Sequence, residues 1–323
     1  MKKLRIGYIG AGNFTNRRNF PHLAEHNVEL VVICDLIEEK ALKAQQQYGF
    51  QKVYTDFEKM CDQEDLDAVF CVGPHRVHYA VGMKILERGL PLYTQKPPAA
   101  NGQMAQEMAD LAKAKGVVYH VGFTLRSSPA FRDMKRIIDS PEFGKPTGCI
   151  VRYLVRPGAD LRASAIDMNS HAVDAGRFLM GDIKELKVVG VGKQPGKRNY
   201  VATAVFENGG LGTFNFFSDL HSASMCSFEV IGEGAWPEGR MLISGSTTGG
   251  RYYAPESPRG GLPIGELKEG EGTHHASGSW GDVESFLNAV RGIAPSVSPI
   301  ESAAKTMHDV DNIIAQLEAL GGA

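Results

Sequence analysis

Three short stretches hold residues whose types and spacing could do chemistry. In "YTQKPPAA", residues 93–100, a single lysine, Lys96, ends a short apolar run and can handle a proton there. Two prolines follow at once, fixing φ and removing backbone donors, and one X-Pro bond is a candidate for the cis form. In "AIDMNSHAVDAGRFLMG", residues 165–181, Asp167, His171 and Asp174 stand four and three apart. That spacing predicts one shared face if a helix starts by Asp167. A histidine there can exchange a proton near neutral pH, with a carboxylate to orient it and stabilise its charged form. A helix start with a capping aspartate and a structural histidine reads the same way.

The third stretch, "RIGYIGAGNFTNRRNF", runs an apolar strand into Gly10-x-Gly12-x-x-Thr15. The first glycine permits a tight turn, and the second lets a pyrophosphate approach the backbone. Thr15 stands where a third glycine would ease helix–strand packing. The next apolar run ends in "VVICD" at Asp35, somewhat more than the usual ~20 residues beyond the glycines. A carboxylate there can bond both ribose hydroxyls of an adenosine and repels a 2′-phosphate, which favours NAD. Arg17 and Arg18 keep NADP as a second reading, and Asp35 capping the next helix is a third.

These groups need elements to position them. Short runs rich in Val and Ile at 4–9, 28–34, 67–72 and 117–121, with 91–96 in the same series, read as strands buried on both faces. Helical patterns lie between them at 38–48, 78–88 and 103–115, with Gly49, Gly89 and Gly116 where helix C-caps belong. This alternation predicts a parallel, doubly wound sheet over 1–123, and Lys96 falls at a strand's carboxyl end, where such sheets bind ligands. Beyond residue 123 the texture changes. A helix near 129–139 precedes strands at 147–155, 184–192, 200–207, 211–218 and 225–231, and "FENGGLGTF" reads as a hairpin. The expected fold class is α/β: a Rossmann-type sheet followed, over 124–323, by an α+β domain with a large, mainly antiparallel open sheet. Residues 232–278 read as loops. Helices at 280–291 and 300–319 close the chain, the last a candidate to pack back on the first domain.

With 323 residues, 43% apolar, 22% charged and a net charge of −2, the chain suits about two globular domains and lacks the basic excess of a general nucleic-acid binder. No apolar run approaches the roughly 20 residues that span a bilayer. The start reads as strand and turn rather than a leader, so a cytoplasmic protein is expected. Five cysteines without CxxC spacing read as buried or idle thiols. His75 and His78 form an HxxH pair with no third ligand nearby, so no metal site is expected. A sheet with one face poorly covered implies a homodimer or homotetramer.

Together "IGYIGAGNF", "CVGPHRVHYAVGMKILERGLPLYTQKPPA" and "DMNSHAVDAGRFLMG" resemble the Gfo/Idh/MocA family, which includes glucose-fructose oxidoreductase and inositol dehydrogenase. The resemblance implies a nicotinamide-dependent dehydrogenase acting on a secondary hydroxyl of a sugar, cyclitol or derivative. It assigns Lys96 to the reacting hydroxyl, His171 to proton transfer and Asp167 to orienting the histidine or binding substrate. Gly10, Gly12, Asn13, Phe14, Asp35, Pro74, His78 and Lys96 are the implied cofactor contacts. Arg156 and Arg162 are candidate substrate contacts, and Arg126 a candidate link between domains. The family's usual Glu-Lys-Pro reads Gln95-Lys96-Pro97 here, which removes a negative charge beside the lysine. Two other readings share the fold: a redox-neutral glycosidase or lyase that uses NAD transiently, and a non-catalytic dinucleotide-binding regulator.

Overall fold

The computed structural model describes residues 2–154, 160–192, 199–218, 225–234, 240–246 and 249–321. The chain divides into two compact units, 1–127 with 279–304 and 128–278 with 305–323.

In the first unit, β1 (Leu4–Ile9), β2 (Val28–Cys34), β3 (Lys52–Tyr54), β4 (Ala68–Cys71), β5 (Leu92–Gln95) and β6 (Tyr119–Gly122) form a parallel sheet in the order β3-β2-β1-β4-β5-β6. The order reverses between β1 and β4, the switch point at which such sheets leave a crevice for ligands. The strands are almost wholly buried because helices α1 (Asn13–Arg18), α2 (Phe20–Leu23), α3 (Glu38–Tyr48), α4 (Phe57–Gln63), α5 (His75–Glu87) and α6 (Gly102–Lys115) connect them. β3 has no expected counterpart: three half-exposed residues carry no apolar period to read. α5 begins at His75, three residues earlier than its periodicity predicts, with Pro74 at its N-cap.

In the second unit, α7 (Pro129–Ile138) leads into β7 (Pro146–Leu154). The helical stretch α8 (Leu161–Ser164), a π-turn (Ala165–Asn169) and α9 (Ser170–Met180) follow. The strands β8 (Ile183–Val191), β9 (Tyr200–Phe206), β10 (Leu211–Phe217), β11 (Met225–Gly232), β12 (Arg240–Ser246), β13 (Gly249–Tyr253) and β14 (Leu262–Ile264) build the second sheet with β7. Its order is β14-β13-β12-β11-β7-β10-β9-β8, antiparallel throughout except the β7–β10 pair. Residues of β9 alternate buried and half-buried, the signature of a sheet with one covered face. α9 lies close on that face: a Cβ at Gly176 would come within 2.7 Å of the Phe214 ring.

Residues 232–278 are not all loop. They supply β12 to β14 and the short α10 (Thr273–Ala276). β12 and β13 pair by backbone bonds despite their glycines and serines, and β14 has only three residues with a proline at the centre, so composition hides them.

The segment 279–304 also departs from the expected boundary at 123/124. Helix α11 (Ser279–Val290) buries Val283, Phe286 and Leu287 in the core of the first unit, beside Ile6, Tyr8 and Phe70. Of α12 (Ile300–Ala319), only the first turn, to Ala304, belongs to the first unit. No described helix is long and apolar enough to cross a membrane. All five cysteines are free thiols, with Cys34, Cys71 and Cys149 buried.

Candidate active site

The first unit gathers most of the expected cofactor residues at the carboxyl edge of its sheet. Gly10 follows β1 with φ +100°, and its N–H donates to Cys34 O at 2.8 Å. A Cβ at Gly10 would lie 2.1 Å from Val72 O, so this glycine serves the packing of β1 against the end of β4. Gly12 differs: its φ is −74°, and nothing lies within 4 Å of the Cβ position. An open backbone face there suits a pyrophosphate, and a side chain would fill it. Asn13 and Phe14 follow it, both exposed, whereas Thr15 is buried.

Asp35, at the end of β2, accepts from Ala11 N–H at 2.7 Å and from Ile37 N–H at 2.9 Å. One carboxylate thus ties the glycine turn to β2 and shapes the start of α3. Its remaining lone pairs can still accept from a ribose diol. The open face at Gly12 and the carboxylate at Asp35 fit NAD, with the carboxylate set against a 2′-phosphate.

The loops after β4 and β5 are joined through His78. Its ring is completely buried; Nε2 accepts from Gly73 N–H at 3.0 Å and Nδ1 donates to Pro97 O at 2.8 Å. Burial holds this imidazole down to a pKa of about 4, so it is neutral and fixed in one tautomer. This corrects one expectation: buried as it is, His78 does not present a surface to a cofactor. It instead pins the turn that carries Lys96. Lys96 is half-buried, and the Lys96–Pro97 bond is cis. Pro74 is exposed in the adjoining loop.

The second unit carries Asp167 and His171. The π-turn 165–169 sits directly before α9, a feature frequent at functional sites. Asn169 buries its side chain there and donates from Nδ2 to Tyr200 Oη at 2.7 Å. Asp167 is exposed and His171 half-buried. Asp174 is unlike them: it is completely buried and accepts from Thr306 Oγ1 at 3.1 Å, so it ties α9 to α12. The shared face of the three is therefore broken at Asp174. One turn on, buried Arg177 bonds Asp309 at 2.7 Å and Asp182 at 2.6 Å, fastening the same helix.

Arg162, on α8, is exposed and paired with Glu318 at 3.3 Å. Arg156 lies outside the described residues. Arg126 donates to Val297 O at 3.0 Å and Ser302 Oγ at 2.9 Å, both within the first unit. What composition and spacing miss is the buried chain of polar groups behind Lys96. Gln95, Tyr93, Asp282 and His120 are too far apart in sequence to form a motif.

A parallel sheet with its order reversal, an open glycine face and a carboxylate at the end of the second strand are the features of a dinucleotide-binding Rossmann domain. A family model described as an oxidoreductase family with an NAD-binding Rossmann fold matches residues 4–123, and a GFO/IDH/MocA C-terminal domain model matches residues 131–237. The chain belongs to the GFO/IDH/MocA family. It is similar to the inositol 2-dehydrogenase/D-chiro-inositol 3-dehydrogenase of Lactiplantibacillus plantarum, 27% identical over 185 residues covering 55% of this chain and 53% of that protein. It is also similar to the D-glucoside 3-dehydrogenase of Escherichia coli, 27% identical over 190 residues covering 55% and 54%. The chain spans about half the length of the curated relatives it matches. Two solved structures share the fold: a dehydrogenase from Chromobacterium violaceum, at 18% identity and TM-score 0.90 over 99% of this chain and 97% of that one, and levoglucosan dehydrogenase with NADH and levoglucosan, at 18% and 0.84 over 98% of each.

Proposed function

We propose that the protein is an NAD-dependent dehydrogenase that oxidises a secondary hydroxyl of a sugar, cyclitol or derivative. The observation that carries this is Lys96 at the carboxyl edge of an NAD-binding sheet, on a turn pinned by a neutral, buried histidine. The names of similar proteins, dehydrogenases of inositol and of glucosides, give the substrate class.

When bound, NAD supplies the ring that accepts the hydride. Gly12 leaves room for the pyrophosphate and Asp35 accepts from the ribose. Lys96 donates a hydrogen bond to the substrate oxygen and stabilises the charge that develops on it. His171 accepts the hydroxyl proton as the carbon loses its hydride, and Asp167 orients the imidazole. In the reverse direction Lys96 and His171 return these services to a carbonyl oxygen.

The test is a panel of myo-inositol, scyllo-inositol, levoglucosan and methyl glucosides with NAD, followed by the reduced-nicotinamide absorbance near roughly 340 nm. Accumulation with at least one polyol is expected. Product formed without that absorbance would overturn this reading in favour of redox-neutral chemistry. Tight NAD binding without any turnover would do so in favour of a regulator.

The homodimer or homotetramer belongs to the same proposal. The outer face of the second sheet exposes Leu211 and Ile231 beside the half-buried Ile150 and Val205, in a shallow cavity that a second copy would cover. Sedimentation at micromolar concentration is expected to exceed the 35.1 kDa of one chain; a monomer would contradict it.

A further inference from the structure

Directly behind Lys96 runs a buried line of polar groups, all within the first unit. Gln95 Nε2 donates to Tyr93 Oη at 2.6 Å, and Tyr93 Oη donates to Asp282 Oδ2 at 2.7 Å. Asp282 Oδ1 lies 2.9 Å from His120 Nε2, whose Nδ1 lies 2.8 Å from Ser296 Oγ. Tyr93, His120 and Asp282 are fully buried, and Gln95 nearly so. The packing around the line is close: a Cβ at Gly122 would come within 2.6 Å of Gln95 Nε2 and 2.8 Å of Tyr93 Oη.

The direction of this line is forced by chemistry. The Tyr93 hydroxyl has one hydrogen and spends it on Asp282 Oδ2. Residue 95 must then donate to the tyrosine oxygen, which an amide can do and a carboxylate cannot. Two gaps need two hydrogens; Tyr93 supplies one and Gln95 the other. Burial and the adjacent carboxylate both push the Tyr93 hydroxyl well above its ordinary range, so it keeps its proton. The Asn19 amide also donates toward this hydroxyl oxygen and leaves the count between Gln95, Tyr93 and Asp282 unchanged, Tyr8 lies near it, and His120 stacks on the ring.

We propose that Asp282 is a remote positioning residue: through Tyr93 it fixes the side chain of Gln95 and so the backbone that presents Lys96. Two anchors then hold that turn, Asp282 before the lysine and His78 after it. The role rests on the reading of Lys96 given above.

Gln95→Glu tests it. An ionised carboxylate at position 95 leaves two gaps with one hydrogen, so the folded variant holds a proton on a carboxyl that the unfolded chain has released. Its stability relative to the parent is therefore expected to fall as pH rises through the range above about 4.3, the free glutamate value. Adding Asp282→Asn reverses the line without a missing hydrogen: the new amide at position 282 donates to Tyr93, and Tyr93 donates to the new carboxylate at position 95.

Melting temperatures across roughly pH 5 to 9, measured on the whole chain without substrate, are expected to show the parent–variant gap widen with pH for Gln95→Glu and close for the double variant. With NAD and the best substrate of the panel, kcat of Gln95→Glu at alkaline pH is expected to fall about 10- to 100-fold with NAD affinity within about 3-fold. The double variant should recover most of that loss. A pH-independent gap, or no recovery in the double variant, overturns the proposal. Lys96→Ala turning over at the parental rate would instead overturn the functional reading, while the melting data still decide whether the line exists.

Discussion

Gly10 and Gly12 stand two residues apart and answer to different demands. At Gly10 the backbone is left-handed and a methyl group would strike Val72 O. At Gly12 the backbone is ordinary and the space in front is open. Gly12→Ala should therefore melt within about 2 °C of the parent yet bind NAD at least about 10-fold more weakly, because the methyl occupies the pyrophosphate's place. Gly10→Ala should lower the melting temperature markedly through strain and overlap. Calorimetry with NAD titration separates the two, and unchanged NAD affinity in Gly12→Ala would remove Gly12 from the binding site. At this scale the sequence is most legible. Two glycines after an apolar run, a carboxylate ending the next one and a lysine before two prolines are local patterns with local causes. His78 is not legible in the same way, because its burial depends on a turn nineteen residues away.

Elements are held together by the polar groups between them, and His78 is the clearest case. It links the loop after β4, the start of α5 and the turn after β5. The folded chain holds its pKa at about 4 against 6.5 for the free side chain. Between those values the unfolded chain binds more protons, so stability falls as pH falls. The His78 contribution is fully present above pH 6.5 and lost by about pH 4, on the order of 3 kcal/mol. In denaturant titrations His78→Gln should be less stable than the parent near neutrality, and the difference should shrink on acidification through that window. A difference that stays constant with pH would show that the ring is not held neutral. In the first 123 residues periodicity marks β1, β2, β4, β5 and β6 and the helices α3, α5 and α6, whereas α2 and α4 span too few turns to show it. β3 and β14 are too short to show a period, and β12 and β13 are concealed by glycine and serine. α11 is recognisable as a helix but not as part of the first unit, because its partners Ile6, Tyr8 and Phe70 lie far away in sequence.

The proposed chemistry draws on residues of both units. The first holds the NAD-binding edge and Lys96; the second holds Asp167 and His171 on the π-turn and α9, a stretch fastened through Asn169, Asp174 and Arg177. The proposed reaction needs Lys96 and His171 to act on one oxygen. Groups that act as a unit lose most of their effect together, whereas independent groups multiply. The most direct test is a double-mutant cycle in kcat with Lys96→Ala and His171→Ala on the best polyol substrate. Each single variant is expected to lose about 100- to 10,000-fold, and the pair to be no more than a few-fold slower than the worse single one. Losses that multiply would contradict a shared site.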